Sequence, residues 1–590
     1  MAVNIPGLIS VVAFYILILV IGIYAGRKGS KSKSLTEVFL ADRNMGTVVS
    51  LFTITASWVG GGFINGTAEI ISLQGLAWTQ APFWYSASLM ICGYFFCPKM
   101  RRANYVTMFD PFQDRYGARV GALMCIPQFL ADLFWSAAIL SALGATVHII
   151  LDLDETMSII VSAVIAVLYT FVGGLWSVAC TDVVQLICLA VGLTIAAPFA
   201  MLHPSVDLSR IQDKWQGEIL PEQIGIFIDI YCLIALGGTT WQEVYQRALA
   251  CRTPEQARSS TMIAGIFCLL LQPCTANRGA LDDWATRAPS SSNYTDSIDM
   301  VGLGAKFPRF HNFIMIRFIH AADWNATSYT GEVPIPPSQM GMILPLSLQY
   351  LCPLPVAIVG LGAVSAAVMS STDSSVLVTS SVFTKNIYKT LIRTRASPRE
   401  MIWVMRVTII VAGALATILA IVGKSVYGLF VLSSDLMYVI LFPQFVSVLF
   451  SNTANAYGSL VGFVTGFVLR VGAGEPLIHL PTCIPFPFYT ETDGQRLPYR
   501  TFICLITFAV IYGVSRLADV LFDREILPSK YDVLRRSKNI QRDEAAEAEE
   551  MLDRGTMLDK ETMLDKETIL DKEINKADCD VIGSNNEKLS

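Results

Sequence analysis

Apolar residues run in blocks along most of the chain, separated by short polar or charged loops, and most blocks are long enough for a helix to cross a bilayer core of about 30 Å. The blocks lie near 8–26, 51–69, 81–97, 120–149, 156–175, 180–202, 224–241, 262–273, 346–384, 403–422, 426–449, 454–471 and 500–521, about thirteen spans with 346–384 taken as one long or bent helix. The first is preceded by no basic residue and followed by Arg27, Lys28, Lys31 and Lys33, so it reads as a retained helix with its N-terminus outside rather than a cleaved signal. Alternation then places Lys99, Arg101 and Arg102, the basic exit Arg247, Arg252 and Arg258, and the run from Lys385 to Arg399 in the cytoplasm. The acidic turn of Asp152, Asp154 and Glu155 falls outside. Every strongly basic loop lands on one side, as the positive-inside rule requires. The expected fold class is an all-α polytopic membrane protein.

Two blocks are interrupted in the middle. The block at Leu51–Glu69 carries Trp58-Val59-Gly60-Gly61-Gly62, and the block starting near Ile224 carries Gly237-Gly238-Thr239-Thr240-Trp241. Glycine is unfavourable inside a helix, and clustered glycines invite the backbone to unwind and free its carbonyls. In a membrane such a break survives only beside a cavity. Paired breaks at corresponding places in two halves of a chain point to a transporter's midplane site. Each break also carries a tryptophan, and the two rings suit a cage for an organic cation.

Composition narrows the function classes. With 53% hydrophobic and 15% charged residues the chain is too apolar for a soluble domain. The net charge of -5 says little about partners, because much of the acidity lies in the tail after Asp523. The 13 cysteines are scattered without a CxxC pair, which leaves neither a disulfide framework nor a zinc site. No HExxH, P-loop or GxSxG is present and the 5 histidines do not cluster, so an enzyme is not expected. The acidic balance and the lack of a basic patch argue against nucleic acid as a partner.

Long runs carry a resemblance: TASWVGGGFINGTAE (55–69), DPFQDRYG (110–117), FWSAAILSALGAT (134–146), CTDVVQL (180–186), GLGAVSAAVMSSTDSS (360–375) and YGLFVLSSDLMYVILFPQ (427–444). They resemble the high-affinity choline transporters of the sodium/solute symporter family, over roughly residues 1–525. The resemblance implies a LeuT-type inverted repeat of five plus five helices, with one extra helix in front and two behind. Residues 1–46 then hold the extracellular N-terminus, the first span and a cytoplasmic loop. The repeats fall at 47–203 and 223–449, joined by an extracellular loop at 204–222; the last two helices occupy 450–522 and an acidic cytoplasmic tail 523–590. The implied activity is sodium-coupled choline uptake at the plasma membrane by alternating access, serving acetylcholine synthesis at presynaptic terminals and their vesicles, with chloride as a further requirement. A symporter for another small solute and a non-transporting sensor or leak of the same fold are the alternatives.

The resemblance also implies site residues. A quaternary ammonium has no N–H to donate, so ring faces must hold it, and the family's cage maps onto Trp58, Tyr85, Trp135 and Trp241. Ser370 and Ser371 supply hydroxyls for sodium, joined by Ala56, Val59 and Ala367. Carboxylates inside a membrane are costly and therefore suspects, and Glu69, Asp132 and Asp373 are the functional candidates. Asp132 lies about one turn before Trp135, where it can face the cage; Asp182 and Asp435 read at least as well as structural partners of a backbone or an arginine. Membrane lipids are the remaining partner of the spans.

The chain departs from the family's pattern at two places. After Gln272-Pro273 a polar stretch, 274–322, replaces the expected continuation of a helix and carries the sequon at Asn293, with a second at Asn325. It is either an extracellular insertion or a replaced exon. Thr239-Thr240 also stand where the family has Ile-Pro. In the tail a hexad repeats at Thr556–Glu561, Thr562–Glu567 and Thr568–Glu573, and Asp565, Ile569 and Leu570 form an acidic dileucine pattern of the type that endocytic adaptors read.

Overall fold

The structure, a computed structural model, describes residues 5–29, 39–172, 175–206, 217–271, 322–423, 425–491 and 494–534. Every block read as a span is helical where it is described, and the described residues hold no strand beyond isolated bridges. The helices are α1 Ile5–Gly29, α2 Thr47–Trp58, α3 Gly61–Gln74 and α4 Ala81–Ile91, which continues through a π-turn to Arg102. Next come α5 Ala118–Leu151, α6 Glu155–Val172, α7 Leu175–Met201, α8 Pro221–Leu249 and α9 Pro254–Leu271. Then follow α10 Ile343–Leu351, α11 Leu354–Ile392, α12 Pro398–Val422, α13 Val426–Phe450, α14 Ala456–Gly472 and α15 Tyr499–Asp523. Seven described helices are long and apolar enough to cross a membrane, or eight with the bent pair α2–α3 as one span.

The span expected at 346–384 is two helices. Cys352 is extended (φ -115°, ψ 149°) ahead of Pro353, which has no N–H and disfavours helical geometry in the residue before it. The long helix therefore starts at Leu354 and runs further than expected, through a π-turn to Ile392.

The chain divides into two units, 1–518 and 519–590. In the first, burial separates core helices from lipid-facing ones. The most apolar stretches of α5, α11 and α13 are 83%, 72% and 89% buried, against 39% for α12. α11 packs on α7 and α5, and α13 on α5 and α3. Small residues let the backbones approach: a Cβ on Gly192 of α7 would stand 2.4 Å from the Ala363 methyl of α11. α12 turns Val407, Ile410, Val411 and Ile418 outward, the apolar surface that lipid covers. The described part of the second unit, 519–534, holds the last turn of α15 and the short turn Ser529–Tyr531.

Candidate functional site

The first break bends α2 against α3 by 43°. Val59 leaves the helix (φ -86°, ψ 66°) and Gly60 is extended before α3 resumes at Gly61. The glycines do less unwinding than the sequence suggests and more making of room: none of Gly60, Gly61 and Gly62 has a positive φ. A Cβ on Gly60 would stand 1.9 Å from the Ser371 Oγ, and one on Gly62 would meet the Trp135 ring at 2.7 Å. The second break, in α8, runs through a π-turn at Leu233–Gly237 and a 3-10 turn at Gly238–Thr240 to an extended Trp241 (φ -94°, ψ 120°). The helix is interrupted here without the family's proline. Thr239 and Thr240 donate their hydroxyls back to the carbonyls of Leu236 (2.6 Å) and Gly237 (2.9 Å), which satisfies acceptors that an uninterrupted helix would use.

The breaks bring the four expected rings together. Trp58 meets Tyr85 edge-on with centroids 4.1 Å apart and Trp241 at 6.2 Å, and Trp241 meets Trp135 at 5.8 Å. Phe430 of α13, which the sequence did not single out, closes the ring of contacts at 5.1 Å from Tyr85 and 5.8 Å from Trp135. All five side chains are buried, and the indole N–H groups of Trp58, Trp135 and Trp241 have no hydrogen-bond partner among the described residues. Unpaired buried donors are uncommon in a finished core and mark a place where a polar group is to be met.

Beside the first break, Ser371 Oγ donates to the carbonyls of Ala56 (3.3 Å) and Ala367 (3.4 Å), so three of the five expected sodium ligands supply hard oxygens to one spot. Val59 is buried in the same break. Ser370 turns its hydroxyl to Asp182, which also accepts from Thr53. The carboxylate pairs with Arg247 at 3.6 Å, and that arginine donates to Thr53 (3.1 Å) and Ser374 (2.5 Å). Arg247 is thus wholly buried and is no loop cation. The sequence misplaced it because α8 continues one turn past the point where its apolar run stops. The cytoplasmic side of that exit rests on Arg252 and Arg258, both exposed.

The remaining carboxylates separate by role. Asp132, expected to face the cage, accepts from Gln128 (2.5 Å) and Thr379 (3.1 Å), which take up the oxygens one turn from Trp135. Asp373 accepts from Thr170 at 2.9 Å, and its second oxygen has no hydrogen-bond partner among the described residues. Glu69 accepts from Ser425 Oγ (2.7 Å) and from the Tyr427 N–H (3.0 Å), at the start of α13. Asp435 is bound by Arg470 and Arg500, each at 2.7 Å, the arginine partnership its sequence context allowed. In the loop that follows α4's continuation, Asp110 takes Lys385 at 2.6 Å. Burial pushes its carboxyl up, but the Lys385 ammonium and hydrogen bonds from Thr107 and the Val106 N–H outweigh that and hold it below the ordinary range. Asn325 is exposed. Asn293, the 274–321 stretch and the dileucine residues Asp565, Ile569 and Leu570 lie outside the described residues.

Comparison with known proteins gives these features a family. The model of the sodium:solute symporter family matches residues 38–283 and 332–466. The chain belongs to that family. As a sodium:solute symporter it is a multi-pass membrane transporter rather than an enzyme, with sodium as its coupling ion. The human high affinity choline transporter 1 is 42% identical over 550 residues, 90% of this chain and 88% of that protein. The high-affinity choline transporter 1 of Caenorhabditis elegans is 45% identical over 551 residues (91% and 89%), and that of Drosophila melanogaster 43% over 545 (92% and 83%). A solved substrate-bound, outward-open structure of a Na+-coupled sialic acid symporter aligns with a TM-score of 0.65 at 18% identity, covering 87% of this chain and 98% of that one. That likeness is one of fold. The family match omits 284–331, which contains most of the polar stretch that departs from the pattern.

Proposed function

We propose that this sodium:solute symporter takes up choline, coupled to sodium, by alternating access at the plasma membrane. The observation that carries the reading is the meeting of Trp58, Tyr85, Trp135 and Trp241 with Phe430 at the two backbone breaks. A sugar or carboxylate calls for hydrogen-bonding or cationic side chains; these rings offer faces to a quaternary ammonium, at about 0.5–2 kcal/mol each when desolvated. Four such faces at the upper end of that range reach the roughly 8 kcal/mol of micromolar binding. The relatives named as choline transporters support the same substrate.

Sodium would bind between the Ala56 and Val59 carbonyls of the first break and Ala367, Ser370 and Ser371 of α11. Bridging the two elements, it would favour the outward-open arrangement that admits choline. With centroids 4.1 Å apart, Trp58 and Tyr85 leave no space for a trimethylammonium head between them, so entry requires these rings to part. Glu69 and Asp373 are the carboxylates we assign to this cycle, Glu69 at the outer closure and Asp373 within the packed helices; Asp132 steadies the helix below Trp135. Chloride dependence, glycosylation at Asn325 and Asn293, presynaptic and vesicular residence and adaptor binding through Asp565, Ile569 and Leu570 complete the proposal.

Uptake of radiolabelled choline by cells expressing the full chain, in sodium or in lithium, tests it. Sodium-dependent uptake that Trp58→Ala abolishes at equal surface abundance is the expected result. Inertness of the full chain at normal surface delivery, together with inertness of a form whose 274–322 stretch is replaced by the relatives' helix, would overturn it.

A further inference from the structure

A cavity of about 400 Å³ lies away from the rings, between the end of α4's continuation and the start of α9. Its wall includes Tyr94, Phe95, Lys99, Arg102, Glu255 and Arg258. The basic residues follow a span and precede the next, which places the cavity at the cytoplasmic membrane surface. Tyr94 and Phe95 are 50% and 54% exposed, two rings in a row on the outer surface of a span, where the neighbour is lipid. The cations are spread around them. The Arg258 guanidinium lies 4.3 Å from the Tyr94 ring centre, and Lys99 donates to the Leu449 carbonyl beside the Phe450 ring, 4.7 Å away. Arg102 stands 3.7 Å from Glu255, but both side chains are mostly exposed, 68% and 73%, so water screens that pair and leaves the guanidinium available. Three cations against one carboxylate make the cavity positive.

We infer that this cavity seats the phosphate headgroup of an anionic phospholipid of the inner leaflet, with its acyl chains running along Tyr94 and Phe95. Basic pockets between spans on the cytoplasmic side suit such headgroups, and the inner leaflet supplies them. A soluble phosphate could use the cations, but the exposed rings give it nothing; a lipid uses both. The site also lies where it can bear on transport. α4 carries Tyr85 of the cage, and α9 follows α8 and packs along α4 and its continuation.

The test uses the full chain in phosphatidylcholine nanodiscs with a trace of fluorescent phosphatidylinositol bisphosphate, and measures lipid binding by energy transfer from the protein. Binding should weaken about thirtyfold in Arg102→Ala/Arg258→Ala, since each surface cation contributes a factor of about five. It should be unchanged in Arg395→Ala/Arg399→Ala, which removes two exposed cations of the next cytoplasmic loop. An equal loss in that control would overturn the site in favour of diffuse surface charge. Free inositol trisphosphate and inorganic phosphate serve as competitors on the unaltered protein, where folding is not in question. Displacement of the lipid only at far higher concentrations of either supports the lipid; displacement at equal concentrations would show a soluble anion site and overturn it.

Discussion

At Gly60 the missing Cβ matters more than backbone freedom. An alanine methyl would stand 1.9 Å from the Ser371 Oγ, and relief requires either the serine or the break itself to move. Gly60→Ala should therefore abolish sodium-dependent uptake, whereas Ser371→Ala, which removes one of the several oxygens proposed for sodium, should raise the half-saturating sodium concentration and leave some transport. Uptake against sodium concentration distinguishes them; near-normal sodium response in Gly60→Ala would refute the packing argument. Phe430 belongs to the same scale. Losing one desolvated ring face of about 1–2 kcal/mol should raise the choline KM about five- to thirtyfold in Phe430→Ala, and Phe430→Tyr should retain most of the affinity. Trp58 and Trp241 were legible because each adjoins a glycine break. Phe430 was not, since one phenylalanine in an apolar helix carries no signal of its own; only the fold shows that it meets Tyr85 and Trp135.

The elements are tied at their ends by carboxylates that no periodicity reveals. The outer half of each broken span caps another helix. Glu69 of α3 accepts from Ser425 and the Tyr427 N–H at the start of α13. Asp229 of α8 accepts from the N–H groups of Arg500 (2.9 Å) and Thr501 (2.7 Å) at the start of α15. Negative charge at a helix N-terminus is favoured by both its free N–H groups and its dipole, by about 0.5–2 kcal/mol for a good cap. Glu69→Ala should loosen the outer closure. A cysteine at Val426, which is 1% exposed, should then react several-fold faster with a membrane-impermeant thiol reagent in a Cys483→Ser background. An unchanged rate would show that Glu69 holds nothing shut. The Asp110–Lys385 tie gives a pH prediction. Because the Asp110 carboxyl is held below its ordinary value, its contribution is fully present above about pH 4 and is lost only as pH falls further, through the folded value. The melting temperature lost in Asp110→Asn should therefore be the same at pH 5 and pH 8; a loss that fades between them would contradict the pairing.

For the whole molecule, the sequence carried the apolar spans and the paired breaks, because bilayer thickness and unsatisfied backbone groups constrain them one segment at a time. Which spans are central was not legible. α12 and α11 both carry stretches apolar enough to span, with mean hydropathy 2.3 and 1.8, and it is the packing that shows one facing lipid and the other enclosed. That Ser371 meets the first break beside the ring cluster came from the resemblance and not from any local pattern; the structure shows the Ser371–Ala56 contact, with Trp58 two residues from Ala56 in a backbone that bends there. That proximity couples the two ligands. In the proposed site, sodium between Ala56 and Ser371 would fix the geometry of the break, and the break would position Trp58 for choline, so each ligand should strengthen binding of the other. Purified full-length protein makes this measurable without transport. Choline at about a hundred times its Kd stabilises a protein that binds it only when folded by about 2.7 kcal/mol, and its melting temperature should rise accordingly in sodium. In lithium the same choline concentration should give a much smaller rise. In Ser371→Ala the sodium needed to restore the rise should increase, while Phe430→Ala should shift the choline requirement more than the sodium requirement. Equal choline stabilisation in sodium and lithium would mean that the sites do not communicate through the break, and coupling would then have to arise elsewhere in the cycle.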